Sequence, residues 1–356
     1  MPSSSVPHTR PPDSSDCPRD VQVDNARGIL VTLVVAGHLV EPYIYGSGLA
    51  RTAYVLIYAF HIPGLVFLSG YLSHARPFRE LVLKVTTSLL VPYLLFEVVY
   101  SVADFMLGDG ESLTISVLTP YWLLWYLPAL GAWRLILPLM SRLPRPLLVA
   151  TGLALLAGTV PEIGTTFTAS RFFVFLPAFL LGHRMASRGS LRDLLPRTHA
   201  WVILAACCLV AVAVAQDIDV RWLYGSRPYA ALGSGPLDGM LLRLLLLVWS
   251  LSMAVAAATV TKARKGLMSR IGAVSMYPYV LHGLVVMVVV DLLPSELDTA
   301  YVVALAILSV PLSILLSSRL AVGWFRPLLE PGRYGFIRRM SSASASSVSP
   351  SGVRRE

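Results

Sequence analysis

The sequence predicts an all-α protein, a polytopic bundle of about ten transmembrane helices with both termini in the cytoplasm. Of its 356 residues, 55% are hydrophobic and only 14% are charged, whereas a soluble domain has about 25% charged residues. Apolar stretches long enough, or nearly so, to cross about 30 Å of hydrocarbon recur along the chain. The number of Lys and Arg residues also alternates between high and low from one connecting loop to the next, as expected for loops on opposite sides of a membrane.

The apolar stretches define one predicted membrane domain over residues 21–326. In chain order they cover residues 28–46, 52–72, 82–104, 121–140, 146–162, 171–186, 199–216, 240–261, 273–292 and 300–323. Residues 1–20 are polar and rich in Pro and Ser, so we expect a disordered tail and not a cleaved signal peptide. Residues 327–356 are basic and Ser-rich, and we expect them to form a mostly disordered cytoplasmic tail.

The distribution of Lys and Arg predicts the orientation of the bundle. If the N-terminus is cytoplasmic, thirteen basic residues lie in inner loops and three, Arg51, Arg221 and Arg227, lie in outer loops. Cytoplasmic loops are enriched in Lys and Arg, so we expect a multi-pass protein of the cell membrane that is surrounded by lipid. The Lys and Arg residues of the predicted inner loops also explain the net charge of +9. No basic run is interleaved with aromatic residues, so we expect no nucleic-acid partner.

Ionisable residues inside membrane spans are costly, which makes them candidates for function. Arg27 and His38 are eleven residues apart, so they lie on about the same face of the first helix, and His38 is about 16 Å deeper. His61 in the second span and His282 in the ninth fall at a similar depth. If the three helices are neighbours, the histidines form a polar chamber. None of them has a His or carboxylate four residues away, so we expect no metal site.

Further polar and helix-breaking residues accompany the histidines. Glu41 follows His38 on the same side of the helix, and Glu97 in the third span is placed to orient a histidine or to pair with Arg134. We expect Arg134 to reach the inner headgroups instead. Interfacial positions are expected for Arg171 and Arg243. Three prolines are expected to interrupt helices beside a cavity, at Pro63, Pro128 and Pro278.

The longest outer loop, residues 217–239, combines cationic and aromatic side chains. Arg221, Trp222, Tyr224, Arg227 and Tyr229 all lie in it. Such a loop suits stacking on sugar rings and binding of anionic groups, but it suits an aromatic belt at the membrane interface at least as well. No phosphate-binding loop, dinucleotide fingerprint, zinc-protease motif or hydrolase nucleophile elbow is present. The small residues of Ser69-Gly70-Tyr71 favour close helix contact.

Four segments in order resemble the acyltransferase-3 family of integral membrane acyltransferases, most closely the branch related to fucose 4-O-acetylase. They are the opening Asp24-Asn25-Ala26-Arg27-Gly28-Ile29 with His38 eleven residues after Arg27, Phe60-His61-Ile62-Pro63 followed by Phe67-Leu68-Ser69-Gly70-Tyr71, Trp125-Tyr126-Leu127, and Ser275 to His282 ending Tyr279-Val280-Leu281-His282. The resemblance covers residues 24–325. Gly64 and Pro278 depart from the family's usual apolar residues, and these departures affect the shape of the cavity and so the acceptor.

The resemblance implies an O-acyltransferase that moves an acyl group, expected to be acetyl, from cytoplasmic acyl-CoA to a hydroxyl of a sugar, glycan or secondary metabolite. No permanently bound cofactor is expected, since acyl-CoA is a co-substrate. The expected catalytic residues are His38, Arg27, His61 and His282. The expected substrate-binding residues are Asp24, Glu41, Glu97, Ser69, Trp125, Tyr126 and Ser275.

Two other classes of protein fit part of the pattern. A transporter or exporter of a polar solute or glycan unit also has polar residues at the midplane and broken helices, although the two halves of this chain show no internal repeat. A membrane scaffold has no need for the buried Arg27–His38 pair. The sequence favours the enzyme and does not define the acyl chain length, the acceptor or the oligomeric state.

Overall fold

The computed structural model describes residues 19–74, 76–108, 112–294 and 296–333. Within these ranges the chain is helical and forms no β-strand. The α-helices are α1 Val21–Val40, α2 Gly48–Tyr58, α3 His61–Tyr71, α4 Phe78–Val85, α5 Val91–Leu107, α6 Tyr126–Met140, α7 Pro146–Ala157, α8 Ala169–Ala186, α9 Arg197–Val214, α10 Arg221–Tyr224, α11 Pro236–Val260, α12 Leu267–Ala273, α13 Met276–Leu292, α14 Thr299–Leu316 and α15 Arg319–Leu329. The predicted tails lie largely outside the described residues.

The predicted helix bundle is confirmed, and each of the ten predicted spans falls on a helix. By length and apolarity, seven spans in the described chain qualify to cross a membrane, or eight if the bent pair α12–α13 counts as one. Helix α7 has only 12 residues, which is too short for about 30 Å of hydrocarbon. Helix α8 has 18 residues but includes Arg171, His183 and Arg184, and it is not among the qualifying spans.

Helix α1 is central in the bundle and carries two of the predicted catalytic residues. It begins at Asp20, whose side chain accepts hydrogen bonds from the backbone N–H groups of Gln22 and Val23 and so caps the helix. It packs against α3, α12, α13 and α14. In the most apolar window of its span 78% of residues are buried, against 17% for α9. The first helix is therefore enclosed by protein, whereas α9 presents most of its surface to the outside of the bundle.

Glycines allow two pairs of helices to approach closely. A Cβ on Gly28 of α1 would overlap the Met268 carbonyl oxygen, and one on Gly272 of α12 would overlap the Asp24 carbonyl oxygen. A Cβ on Gly70 of α3 would likewise overlap the Phe179 carbonyl oxygen of α8. Close helix contact at Ser69-Gly70-Tyr71 was predicted from its small residues, and the structure confirms it.

Two of the predicted spans are broken, and one break places His61 at a helix start. The second span is broken at Ala59–Phe60, and His61 is the first residue of α3. The ninth span bends by 91° between α12 and α13. Pro63, Pro128 and Pro278 lie in the first turns of α3, α6 and α13 and not in helix interiors as predicted. A first turn tolerates proline because its N–H groups have no carbonyl partner within the helix.

Candidate active site

A cavity of about 760 Å³, here called the His38 cavity, opens beside the end of α1. His38, in the last turn of α1, lines it together with Glu41, Tyr58 and His61. Another part of its wall is formed by the loops before α8 and around α10, which contribute Thr165, Arg221, Tyr224, Ser226 and Arg227. A second cavity of about 400 Å³ reaches His38 and Glu41 from the side of α5 and α13, and Trp122 lines both.

The hydrogen bond to Glu41 fixes the tautomer of the neutral His38 ring. Its Nδ1 atom lies 3.0 Å from Glu41 Oε2. An ionised carboxylate only accepts hydrogen bonds, so Nδ1 carries the proton and Nε2 keeps its lone pair. The Tyr58 hydroxyl lies 3.4 Å from His38 Nδ1 and 3.5 Å from the same carboxylate oxygen. The arrangement is that of a histidine base held in orientation by a carboxylate.

The other two predicted catalytic histidines lie close by. The His282 ring stacks on that of His38 with 5.3 Å between ring centres, and Tyr58 separates His38 from His61. In both His61 and His282, Nδ1 lies 2.8 Å from the backbone carbonyl oxygen four residues earlier. Nδ1 therefore donates, and Nε2 is the free nitrogen of each ring. His282 Nε2 is buried without a hydrogen-bond partner in the described residues.

Arg27 lines a separate cavity of about 240 Å³, here called the Arg27 cavity. Its guanidinium Nη2 donates to Ser275 Oγ at 2.6 Å, and Ser69 Oγ lies 2.8 Å from the Tyr126 hydroxyl. Arg134 lines the same cavity, so its side chain faces an internal space where the sequence predicted contact with headgroups. Two arginines and five hydroxyl-bearing side chains line this small cavity, which suits an anionic group such as phosphate.

Aromatic rings join the two cavities. Tyr279 lies with its ring centre 5.4 Å from that of Tyr126 and 6.4 Å from that of His282. The Tyr279 hydroxyl donates to the Leu123 carbonyl oxygen. The neighbouring residues Trp125 and Tyr126 diverge, since Trp125 lines the His38 cavity and Tyr126 lines the Arg27 cavity. This short segment therefore contributes to both spaces.

Two of the predicted substrate-binding residues have partners within the protein. Asp24 forms a 2.8 Å ion pair with Arg19 at the contact of α1 with α12. Glu97 neither orients a histidine nor pairs with Arg134, because both its carboxylate oxygens accept the backbone N–H of Tyr121, at 2.9 and 3.1 Å. Glu97 thereby anchors the turn that leads to Trp122.

Trp122 was not predicted from the sequence. Its ring centre lies 4.5 Å from that of His38, and its backbone φ is +37°. A non-glycine residue with positive φ is strained, and such strain is concentrated at functional sites. The positive φ angle marks Trp122 as a site residue, and this angle can be seen only in the three-dimensional structure.

Two arginines, Arg171 and Arg243, hold the loop over the His38 cavity, which is the loop of residues 217–239. Arg171 lies 4.7 Å above the Trp125 ring, and its Nε donates to the Tyr224 carbonyl oxygen at 3.3 Å. Arg243 is only 4% exposed and donates to the Trp222 carbonyl oxygen at 2.9 Å. Both arginines, for which the sequence predicted interfacial positions, therefore have partners within the protein. Trp222 is buried too, which excludes it from an interfacial belt.

Two groups in this loop have shifted pKa values, one through a hydrogen bond and one through burial. The side chain of Arg221 donates to Asp219 and holds the pKa of that carboxyl below its ordinary value. Burial raises the pKa of Tyr224 to about 12. Tyr224 therefore stays protonated, and its hydroxyl lies 3.4 Å from Glu41 Oε1 as a donor. Both oxygens of Glu41 thus have donors.

Comparison with known proteins identifies the family. The nodulation protein NolL of Mesorhizobium japonicum is 32% identical over 122 residues, which are 30% of this chain and 33% of NolL. The chain thus matches about a third of the length of this curated relative. No solved structure matches the chain. A family model described as an acyltransferase domain matches residues 20–318. The chain therefore belongs to the acyltransferase-3 family that its four sequence segments resemble.

Proposed function

We propose that the protein is a membrane-bound O-acyltransferase that transfers an acyl group, expected to be acetyl, from acyl-CoA to a hydroxyl of a sugar-type acceptor. The observation that carries the proposal is the His38–Glu41 pair, whose ring keeps Nε2 as the basic nitrogen beside an open cavity. Family membership supports the reaction class. The proposed location is the cell membrane, with acyl-CoA arriving from the cytoplasm.

The proposed step begins when His38 Nε2 takes the proton of the acceptor hydroxyl as its oxygen attacks the thioester carbonyl carbon. The new C–O bond gives a tetrahedral intermediate, and its C–S bond breaks as the intermediate collapses. The imidazolium then returns the proton to the leaving sulfur, giving the ester and free CoA. Glu41 orients the ring and stabilises the imidazolium that forms during the step.

The Arg27 cavity is proposed to bind an anionic group of the donor. Arg27 and Arg134 suit phosphate groups of CoA, and the hydroxyls of Ser69, Tyr126 and Ser275 add donors. His61 and His282 are proposed to orient the acceptor from their positions beside His38, with each free Nε2 accepting a hydrogen bond from an acceptor hydroxyl. The oxyanion role is less suited to them, because it needs a donor and their ring protons are on Nδ1. His38 acting as a transient acyl carrier is the alternative course of the same reaction.

The deciding experiment measures CoA release from acetyl-CoA by the purified protein in lipid, wild type beside His38→Ala. His199→Ala is the matched control, since His199 is exposed at the start of α9. Release by wild type and by the control, together with its loss in His38→Ala, supports the enzyme. Equal release by all three proteins would remove His38 from the reaction. A protein that moves a solute without consuming thioester would be a transporter.

A further inference from the structure

Three arginine side chains line the His38 cavity, and the proposed transfer step uses none of them. They are Arg171, Arg221 and Arg227. Among the described residues that line this cavity, Glu41 is the single acid. Its two oxygens already have His38, Tyr58 and Tyr224 as hydrogen-bond partners. The cavity therefore carries more positive than negative charge.

The arginines differ in how far their charges are balanced. Arg221 forms a 2.6 Å ion pair with Asp219 on its own loop. Arg171 has an aromatic ring and a backbone carbonyl as partners, neither of which carries a formal charge. Arg227 is exposed, and no ion pair forms on it within the described part of the chain. Neither Arg171 nor Arg227 thus forms an ion pair in the described part of the chain, although the Glu41 carboxylate interacts electrostatically with Arg171.

Aromatic side chains surround the same space. Tyr58, Trp122, Trp125 and Tyr224 line the cavity around His38. Aromatic rings present flat apolar surfaces, with polar groups on Tyr and Trp that form hydrogen bonds. This combination fits a sugar ring with its hydroxyls turned to the polar groups. A negative charge on the bound molecule would complement Arg227, which is exposed and forms no ion pair among the described residues.

We propose that the acceptor is an anionic sugar derivative, whose ring lies between the aromatic side chains with one hydroxyl at His38 and whose carboxylate or phosphate binds Arg227. Arg171 adds positive charge to the same wall. The proposal rests on the proposed function, since it names the class of acceptor for that reaction. Arg227 is then a residue that determines specificity for the acceptor, and it takes no part in proton transfer.

The test compares two probes of the same ring, p-nitrophenyl β-glucoside and p-nitrophenyl β-glucuronide, which differ at C6 in hydroxymethyl against carboxylate. Their dissociation constants are measured on the protein in lipid by direct titration, and acetyl transfer to each is measured by CoA release. We expect the glucuronide to bind at least about tenfold more tightly, as for a charge-assisted hydrogen bond. The preference should weaken as salt concentration rises.

Variants of Arg227 assign the preference to one side chain. Arg227→Gln should reduce the ratio of the two dissociation constants to near one, whereas Arg227→Lys keeps the charge and most of the preference. Arg142→Gln is the matched control, because Arg142 is an exposed arginine beyond the end of α6. It removes the same charge and should leave the ratio unchanged.

Several outcomes would overturn the proposal. Equal binding of both probes, binding of neither, or a preference that survives in Arg227→Gln would each do so. A rise in the KM for acetyl-CoA in Arg227→Gln, with no change in probe binding, would assign Arg227 to the donor instead. The proposed function is tested separately by the loss of CoA release in His38→Ala, so the acceptor class can fail while the reaction stands.

Discussion

The His38 cavity and the Arg27 cavity differ in size and in the residues that line them. The first has about 760 Å³ and is lined by a histidine–carboxylate pair, aromatic rings and arginines. The second has about 240 Å³ and is lined by two arginines and five hydroxyl-bearing side chains. A general base is present only where the space is large enough for an acceptor. A small cationic space suits one anionic group. The difference argues for a division between chemistry in one cavity and donor binding in the other.

The shared elements make this division possible. Helix α1 carries Arg27 and His38 eleven residues apart, which corresponds to about 16 Å along the helix. Trp125 and Tyr126 line one cavity each, and Tyr279 lies between Tyr126 and His282. A substitution in one cavity should therefore affect either catalysis or donor binding, and not both.

The largest effect is expected for His38→Ala. Loss of a general base lowers kcat by about 10²- to 10⁴-fold, and we expect the KM for acetyl-CoA to stay within a few-fold because the Arg27 cavity is intact. Initial rates of CoA release give both constants, and a thermal melt shows whether the variant is folded. A folded variant with unchanged kcat would contradict the assignment of chemistry to this cavity.

A smaller effect on kcat is expected for Glu41→Gln. The glutamine amide can donate to His38 Nδ1, which favours the tautomer with the proton on Nε2 and removes the base. Losing the charge-assisted hydrogen bond should lower kcat by about 10- to 100-fold. The measurement is the pH profile of kcat beside that of wild type. Identical profiles with equal kcat would show that Glu41 has no part in orienting His38.

Arg27→Gln tests the other cavity. We expect the KM for acetyl-CoA to rise by about tenfold, as for one lost charge-assisted hydrogen bond. Binding of the acceptor probe should not change, because Arg27 does not line the His38 cavity. Arg142→Gln again serves as the control for a lost positive charge. A fall in kcat at saturating acetyl-CoA, with an unchanged KM, would contradict the separation of the cavities.

Much of this site follows from the sequence, because depth in a membrane can be counted along a helix. Arg27, His38, His61 and His282 were placed by their positions in apolar spans, and the structure brings the three histidines together. The helix break at His61 was likewise predicted from Pro63. Their catalytic roles stay predictions, as does the cytoplasmic position of the termini.

The rest depends on partners that are distant in sequence. Glu97 bonds the backbone N–H of Tyr121, and no side-chain pattern indicates a backbone partner. Arg171 lies near a helix end, which is typical of an interfacial residue, yet the fold of the chain places it over Trp125. The strained backbone of Trp122 is set by its surroundings in three dimensions. Packing between residues that are distant in sequence determines each of these three features. Hydrophobic periodicity gives information on only one helix at a time.

The smallest effect is expected for Asp219→Asn in the loop over the His38 cavity. Asp219 accepts the Arg221 backbone N–H at 2.9 Å and its guanidinium at 2.8 Å, but the ion pair is partly exposed. Exposed pairs contribute little, so we expect the acceptor KM to change by less than about twofold. A larger change would mean that this loop, and not only His38 and its neighbours, sets the geometry of the cavity.

The pH dependence of the same pair follows from the lowered pKa of Asp219. The folded state binds a proton on this carboxyl less readily than the unfolded state, whose reference value is 3.8. The contribution of the pair to stability is therefore fully present above pH 3.8 and is lost as pH falls through the lower folded pKa. Thermal melting of wild type and Asp219→Asn in lipid should differ slightly near neutral pH and converge under strong acid. A difference that grows on acidification would show that another group controls this loop.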